Sequence, residues 1–425
     1  MKIIIVGAGF AGLQLARKLN NKEDVEVLLI DKNNYHQFQP LFYQVATAGL
    51  DASNISFPLR KVFHNSKNVS IRLAELQTVN AVSNTITTDI GTLYYDILVL
   101  ATGADTNFFG NENLKKLAFP MKSTVEALQL KQKLIQNLED ALEAKGDAAL
   151  TRQLSIVVVG GGATGVEVSG AIAEMRNDIL PKDYPDLDFT KMKIYLLENS
   201  PEILGAMSDK SSIESKKYLQ QLGVEVCNGV ALESFDGETV TLRDGGTIAT
   251  KTVIWSAGIK GNVPQGIDSE LIVRGNRIKV DRTSKMFDFE NIYILGDVAY
   301  METPKYPKGH PQVANVAINQ AKNLAVNILR MVTGNKHFLK EFEYNDKGSM
   351  ATVGRHLAVV DIPKPNIHFS GFFAWLVWMV LHLMLILGVK NRLQILINWA
   401  YKYFTRDQSL RLLFKNYYQK EKMDL

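Results

Sequence analysis

The chain opens on an unbroken apolar run. Residues 2–6 are β-branched almost throughout, the pattern of a strand covered on both faces of a parallel sheet. Gly7-Ala8-Gly9-Phe10-Ala11-Gly12 follows at once, then residues 13–19 with helical spacing and good helix formers. Residues 25–30 read as the second strand, with Asp31 at its end. The same order recurs in mid-chain: a strand at 154–159, the loop Gly160-Gly161-Gly162-Ala163-Thr164-Gly165, a helix over 166–175, and a strand over 193–197 ending in Glu198. Residues 176–190, with two prolines and several acids, read as an extension inserted between that helix and strand. Residues 95–100 and 291–295 are two more apolar strands. They exit into Ala101-Thr102-Gly103-Ala104 and Gly296-Asp297, and Trp255-Ser256-Ala257-Gly258 is a similar exit.

Each residue type in the repeated unit has a physical task. Gly7 allows a tight turn, Gly9 admits a pyrophosphate against the backbone, and Gly12 lets helix and strand pack closely. The helix N-terminus supplies N–H donors and positive dipole to the phosphates, and Asp31 can accept from a ribose hydroxyl. Gly160, Gly162 and Gly165 repeat the pattern. Glu198 favours a free ribose diol and repels a 2′-phosphate, and Asn199-Ser200 bring no compensating cation. NADH is therefore expected over NADPH. Two such units imply one tightly held flavin dinucleotide and one passing nicotinamide, with FAD assigned to the first.

Composition narrows the class further. A chain of 425 residues has room for two or three domains, and 46% hydrophobic with 22% charged residues describes a packed protein. The net charge of +4 does not suggest nucleic acid. It is concentrated at the end, where the residues from Lys390 onward carry eight Lys/Arg against three acids. A single cysteine, Cys227, excludes an internal disulfide, a CxxC pair and a multi-cysteine metal site, and reads as an inert core residue. His36, His310 and His382 are not spaced as metal ligands, so no metal is expected. The N-terminus runs straight into a strand without a basic leader, which predicts retention in the cytoplasm or on its face of a membrane.

The set Gly7–Gly12, Ala101–Ala104, Gly160–Glu167, Trp255–Gly258 and Gly296–Asp297 resembles the motifs of two-dinucleotide flavoprotein reductases. More narrowly, His36-Gln37-Phe38-Gln39-Pro40-Leu41-Phe42-Tyr43-Gln44-Val45-Ala46 resembles the type II NADH dehydrogenases. So does the stretch from Gly348-Ser349-Met350-Ala351 through Trp375, Trp378, His382, Gly388, Asn391, Arg392 and Trp399. The resemblance implies a single-subunit, non-proton-pumping NADH:quinone oxidoreductase of the respiratory chain. It would sit on the cytoplasmic face of the inner membrane as a homodimer, with FAD held tightly but non-covalently. It adds Phe10, Ala11, Lys32, Gln39 and Ala314 to the cofactor contacts, beside Ala257 and Gly258. Glu167 becomes a candidate for nicotinamide contact or proton supply, although an acid near a helix N-terminus is also favoured by the dipole alone. Gln44, Asn315 and Asn319 become quinone contacts. Here the chain departs from the family, whose Ala-Gln-x-Ala-x-Gln reads Ala314-Asn315-Val316-Ala317-Ile318-Asn319-Gln320. Asparagine keeps the amide but shortens its reach by one methylene.

The tail allows three readings. Residues 371–389 carry no Lys, Arg, Asp or Glu. At about 1.5 Å per residue, such a helix nearly crosses a bilayer core of about 30 Å. Beyond it, Leu393, Leu396, Ile397, Ala400 and Phe404 share one helical stripe, with Arg392, Gln394, Lys402 and Arg406 largely off it. That is a helix suited to lying among lipid headgroups. Surface attachment, a true span and a buried dimer core all fit, and the resemblance favours the first. The expected architecture is α/β, glutathione-reductase-like, with two Rossmann-like domains. FAD would be held by 1–115 and 285–365, NADH by 116–284, and residues 366–425 would form the membrane-surface helices. A soluble reductase with a protein acceptor and a flavin-bound redox sensor are the alternatives.

Overall fold

The computed structural model describes residues 1–334 and 339–414, which form two compact units. The helices that matter below are α1 (Phe10–Leu19), α2 (Phe42–Ala46), α3 (Thr124–Leu142), α4 (Ala163–Glu174), α5 (Asp209–Gln221), α6 (Ala314–Val332), α7 (Gly371–Leu385) and α8 (Val389–Thr405).

The first unit comprises Met1–Gln37, Ser56–Asn107 and Ile259–Asp346. Its base is a five-stranded parallel sheet in the order Ile292–Ile294, Ile97–Leu100, Lys2–Val6, Glu26–Asp31, Val69–Leu73. Ile3, Ile4 and Ile5 are fully buried, as the apolar run predicts for a strand covered on both faces. From the central strand Lys2–Val6 the chain winds outward through α1 to Glu26–Asp31, then returns to the other side at Ile97–Leu100. The strand order thus reverses where Gly7 meets Ala101, the place at which open α/β sheets bind ligands. Helices α1 and α6 pack together in this unit.

The second unit comprises Phe38–Ile55, Phe108–Gly258 and Lys347–Leu425. Its parallel sheet runs Phe119–Pro120, Thr252–Trp255, Ile156–Val159, Ile194–Glu198, Glu225–Asn228, again with the reversal beside the central strand. A three-stranded antiparallel sheet, Ser349–Val353, Leu357–Ile362 and Ile367–Ser370, carries α7.

These limits differ from the expected ones for traceable reasons. Residues 259–284 belong to the first unit because Ile259–Gly261 pairs with Ala104–Thr106 and Arg277–Val280 with Ala299–Met301. Residues 347–365 belong to the second because they build the sheet under α7. The expected insertion at 176–190 begins as a π-helical turn, Met175–Ile179, that prolongs α4. Cys227 is only half-buried, because its strand Glu225–Asn228 is the edge of the sheet. The apolar run 371–389 is not one helix. It stops at Leu385, and α8 starts after Gly388, whose φ is +80°. Arg392 reaches back from α8 and donates to the carbonyls of Ile386 (2.8 Å) and Met384 (3.0 Å), so the end of α7 is satisfied without continuing the helix. Among the described residues, no helix is long and apolar enough to cross a membrane.

Candidate functional site

In the first unit the glycine loop separates packing from binding. A Cβ on Gly7 would sit 2.2 Å from the Ala101 carbonyl oxygen, and one on Gly12 would sit 1.8 Å from that of Gly7. Both positions are closed by backbone, so only hydrogen fits. A Cβ on Gly9 meets nothing within 4 Å, so this backbone faces open space at the start of α1. Gly9 caps α1 without a side-chain bond, and Phe10 and Ala11 open the helix, the end whose backbone N–H groups and positive dipole favour an anion. Asp31 braces the loop, accepting from Ala8 N at 2.6 Å and Asn33 N at 2.7 Å. Burial raises its pKa, against these hydrogen bonds that lower it. A carboxylate offers about four acceptor sites, so acceptor capacity remains for ribose hydroxyls. Lys32, beside it, is exposed.

Around this loop, Ala101, Thr102 and Gly103 are clamped by Asn262, a residue without any sequence signal. Thr102 Oγ1 donates to the Asn262 carbonyl at 2.6 Å, Asn262 Nδ2 donates to the Thr102 carbonyl at 3.2 Å, and Asn262 N donates to the Gly103 carbonyl at 2.9 Å. Gly296 adopts φ +72° and lies against Ala11 and Ala317, and half-buried Asp297 follows it. The Gly296 N–H donates to Gln320 Oε1 at 2.8 Å, so the buried Gln320 ties α6 to this strand end. Ala314 opens α6, again without a side-chain cap, which directs a long helix's positive end outward. Asn315 and Asn319 lie one turn apart, and Asn319 Nδ2 donates to the Asn315 carbonyl at 2.8 Å.

The second unit repeats the first loop closely. A Cβ on Gly160 would lie 2.7 Å from the Ser256 carbonyl, and one on Gly165 would lie 1.9 Å from the Gly160 oxygen; one on Gly162 meets nothing. Thr164 is exposed beside it. Glu198 accepts from Gly161 N at 2.6 Å and Ser200 N at 2.7 Å, the counterpart of Asp31. Ser256 Oγ donates to the Val159 and Gly160 carbonyls and so fixes the turn into Ala257 and Gly258.

Further along α4, half-buried Glu167 accepts from Thr352 N at 3.4 Å. Desolvation of its carboxyl pushes the pKa up to about 8, so it holds a proton at neutral pH. Tyr43 on α2 is buried, 3.0 Å from Thr352 Oγ1, and burial raises the pKa of its phenol, with Glu167 adding to the rise once it ionises. Gln44 is already engaged: Nε2 donates to Tyr43 at 2.9 Å and Oε1 accepts from Trp399 Nε1 at 2.7 Å. Gln39 Oε1 accepts from Lys122 Nζ at 3.5 Å. The three histidines singled out from the sequence are buried, and desolvation lowers each to about 4. Among the described residues, no cluster of His, Cys, Asp or Glu could hold a metal.

Known proteins resemble this chain in both sequence and fold. The pyridine nucleotide-disulphide oxidoreductase model matches residues 1–321, and the NDH2 C-terminal domain model matches residues 347–407. Two type II NADH:quinone oxidoreductases of Mycobacterium tuberculosis, NdhA and Ndh, are each 34% identical, over 95% and 94% of this chain and 87% of their own length. The chain belongs to the type II NADH:quinone oxidoreductase family. A Staphylococcus aureus member is 30% identical over 84% of this chain and 88% of its own. The fold of this family member matches NDH2 of Plasmodium falciparum, solved with NADH, at a TM-score of 0.89 and 21% identity, over 97% of this chain and 99% of that one. It also matches the sulfide:quinone oxidoreductase of Aquifex aeolicus, at 0.71 and 18% identity over 96% of each.

Proposed function

We propose that this chain oxidises NADH with tightly but non-covalently bound FAD and reduces a quinone drawn from the bilayer, without pumping protons. The observation that carries the reading is the pair of nucleotide loops, each open at its middle glycine and braced by its own strand-end acid. The Gly9 cradle, the uncapped start of α1 and Asp31 fit the pyrophosphate and ribose of FAD. Gly162, Thr164 and Glu198 fit NADH. When bound, FAD supplies hydride acceptance and two-electron release.

The protein's own residues bind, orient and hold protons. Asp31 and Glu198 fix their riboses while staying tied to the loops. The uncapped positive end of α6 at Ala314 favours negative charge near it. Glu167, protonated at neutral pH, is suited to furnish a proton that quinone reduction consumes. Asn315 and Asn319 remain the proposed quinone contacts of α6.

The tail supports attachment to one leaflet. Phe373, Met384, Val389, Ile397 and Phe404 are all at least 65% exposed on α7 and α8, too much apolar surface to leave in water unless it meets lipid or a second copy. We assign it to the cytoplasmic face of the inner membrane, with homodimer association as part of the same reading.

The test is NADH oxidation by the purified, FAD-loaded full chain with a short-chain quinone, free and on anionic vesicles. Fast turnover with reduced quinone as product supports the reading, and sedimentation reports the dimer. In sealed vesicles the turnover should carry no protons into the lumen. If NADH bleaches the flavin and quinone fails to reoxidise it, a protein acceptor replaces the quinone.

A further inference from the structure

We infer that Trp399, on the inward face of the tail helix α8, is a positioning residue for the quinone step. Through Gln44 it sets the direction of the hydroxyl pair Tyr43–Thr352 that stands beside Glu167. The inference rests on the function proposed above.

The bonds run in order within the second unit. Trp399 Nε1 donates to Gln44 Oε1 at 2.7 Å, and Gln44 Nε2 donates to the Tyr43 hydroxyl at 2.9 Å. Tyr43 Oη lies 3.0 Å from Thr352 Oγ1, and Thr352 N donates to Glu167 Oε1 at 3.4 Å. An indole is a donor with no acceptor, so it can meet only the oxygen end of the Gln44 amide. That choice turns the NH₂ end toward Tyr43 and makes the phenol oxygen an acceptor. The single Tyr43 proton then goes to Thr352 Oγ1, on the residue whose backbone N–H binds Glu167.

Without the indole the amide loses its reason to face one way. A flipped Gln44 presents oxygen to Tyr43 and takes its proton, and Thr352 then donates back to Tyr43. One N–H on α8 thus sets the polarity of the whole line. Trp399 is buried, so this role is separate from contact with lipid.

The Thr352 N–H is the contact through which this line reaches Glu167. Its pKa answers to its burial and the Thr352 N–H, with no charge of α5 or of the strand Ile194–Glu198 among the causes. Tyr43 is the titratable group that α2 brings. Glu174, further along α4, accepts from Arg355 N and pairs with Lys402 of α8 at 3.4 Å.

The experiment uses Trp399→Phe and Gln44→Leu in the full, FAD-loaded chain on vesicles. Anaerobic stopped flow reads flavin bleaching by NADH and then reoxidation by a short-chain ubiquinone, across about pH 6 to 9.5. Bleaching and vesicle binding should match wild type. Reoxidation should slow severalfold, with its pH midpoint raised, because Thr352 is held less firmly and its N–H bond, which lowers the pKa of the Glu167 carboxyl, weakens. The double variant should be no worse than Gln44→Leu alone, since that substitution already removes the Trp399–Gln44 bond. A reoxidation rate and midpoint equal to wild type in either folded variant overturns the inference. If Trp399→Phe does not retain flavin, Gln44→Leu breaks the same bond without touching α8. Failure of the underlying function looks different: wild type itself would bleach with NADH and not reoxidise with quinone.

Discussion

Replacing single glycines with alanine separates the parts of each loop that hold the fold from the part that meets nucleotide. At Gly12 the new methyl would lie 1.8 Å from the Gly7 oxygen, about half the 3.4 Å at which ordinary contact begins. Both partners are backbone, so the helix must shift off the strand, at the upper end of the ~1–3 kcal/mol typical of over-packing. Gly165→Ala meets the same obstacle at 1.9 Å. Gly9 and Gly162 are different. Their φ values of −67° and −69° with extended ψ suit alanine, and no atom lies within 4 Å of the added carbon. Gly9→Ala and Gly162→Ala should therefore melt at the wild-type temperature as apoproteins. The methyl instead occupies the approach to the loop's N–H groups. Losing one charge-assisted hydrogen bond there costs about 1.5–3 kcal/mol, roughly tenfold to a hundredfold in affinity. Gly9→Ala should be purified with little flavin, read by absorbance after denaturation. Gly162→Ala should keep its flavin and raise KM for NADH. Full flavin in Gly9→Ala together with an unchanged KM in Gly162→Ala would refute the assignment of the open positions to the nucleotides.

Two further outcomes follow from the tail and the buried histidines. Changing Leu393, Ile397 and Phe404 to serine, at positions 53%, 65% and 81% exposed, should leave the melting temperature unchanged. Burying each of these partly exposed side chains in lipid is worth about 1 kcal/mol or more, so vesicle flotation should fall by about a hundredfold; undiminished flotation would place the membrane contact elsewhere. His36 and His382 are held neutral, with pKa values lowered to about 4 by desolvation. An unfolded chain protonates them near 6.5, so the stability they contribute is complete above that pH and is lost as pH falls toward 4. The slope is at most about 1.4 kcal/mol per pH unit for each histidine, and denaturant melts at intervals between those limits measure it. Stability that stays flat over that window would mean the histidines are charged in the folded protein.

The parts of the site legible in the sequence are those whose chemistry is local. Gly7, Gly9 and Gly12, or Gly160, Gly162 and Gly165, answer to neighbours a few positions away and to one crossing strand, so spacing exposes them. Asp31 and Glu198 end strands whose apolar pattern can be counted. Asn262 had no such signal, because its partners Thr102 and Gly103 lie far off in sequence and meet it only after folding. Ser256 lay inside a recognised motif, but its bonds to the Val159 and Gly160 carbonyls depend on two strands becoming neighbours. The departure at 315–320 looked like a loss of reach in two amides. In the fold, Asn319 is partly satisfied by its own helix, and the neighbouring Gln320 spans to Gly296.

The tail shows why composition could not choose between crossing a bilayer and lying on it. An average over residues 371–389 registers only that they lack charge. The helix ends inside that run because Gly388 takes a left-handed conformation and because Arg392 satisfies the Met384 and Ile386 carbonyls from the next helix. A charged residue outside the apolar window therefore sets the window's effective length. Once the run is divided, neither half spans, and what α7 and α8 present instead is apolar surface beside inward anchors: Trp378 packed in the unit, Trp399 bonded to Gln44. On the function proposed above, the outward side chains would meet the lipid in which the quinone dissolves, and the inward ones reach residues around Glu167. On that reading attachment and catalysis lie on opposite faces of the same short helices, so substitutions on one face should leave the function of the other measurable.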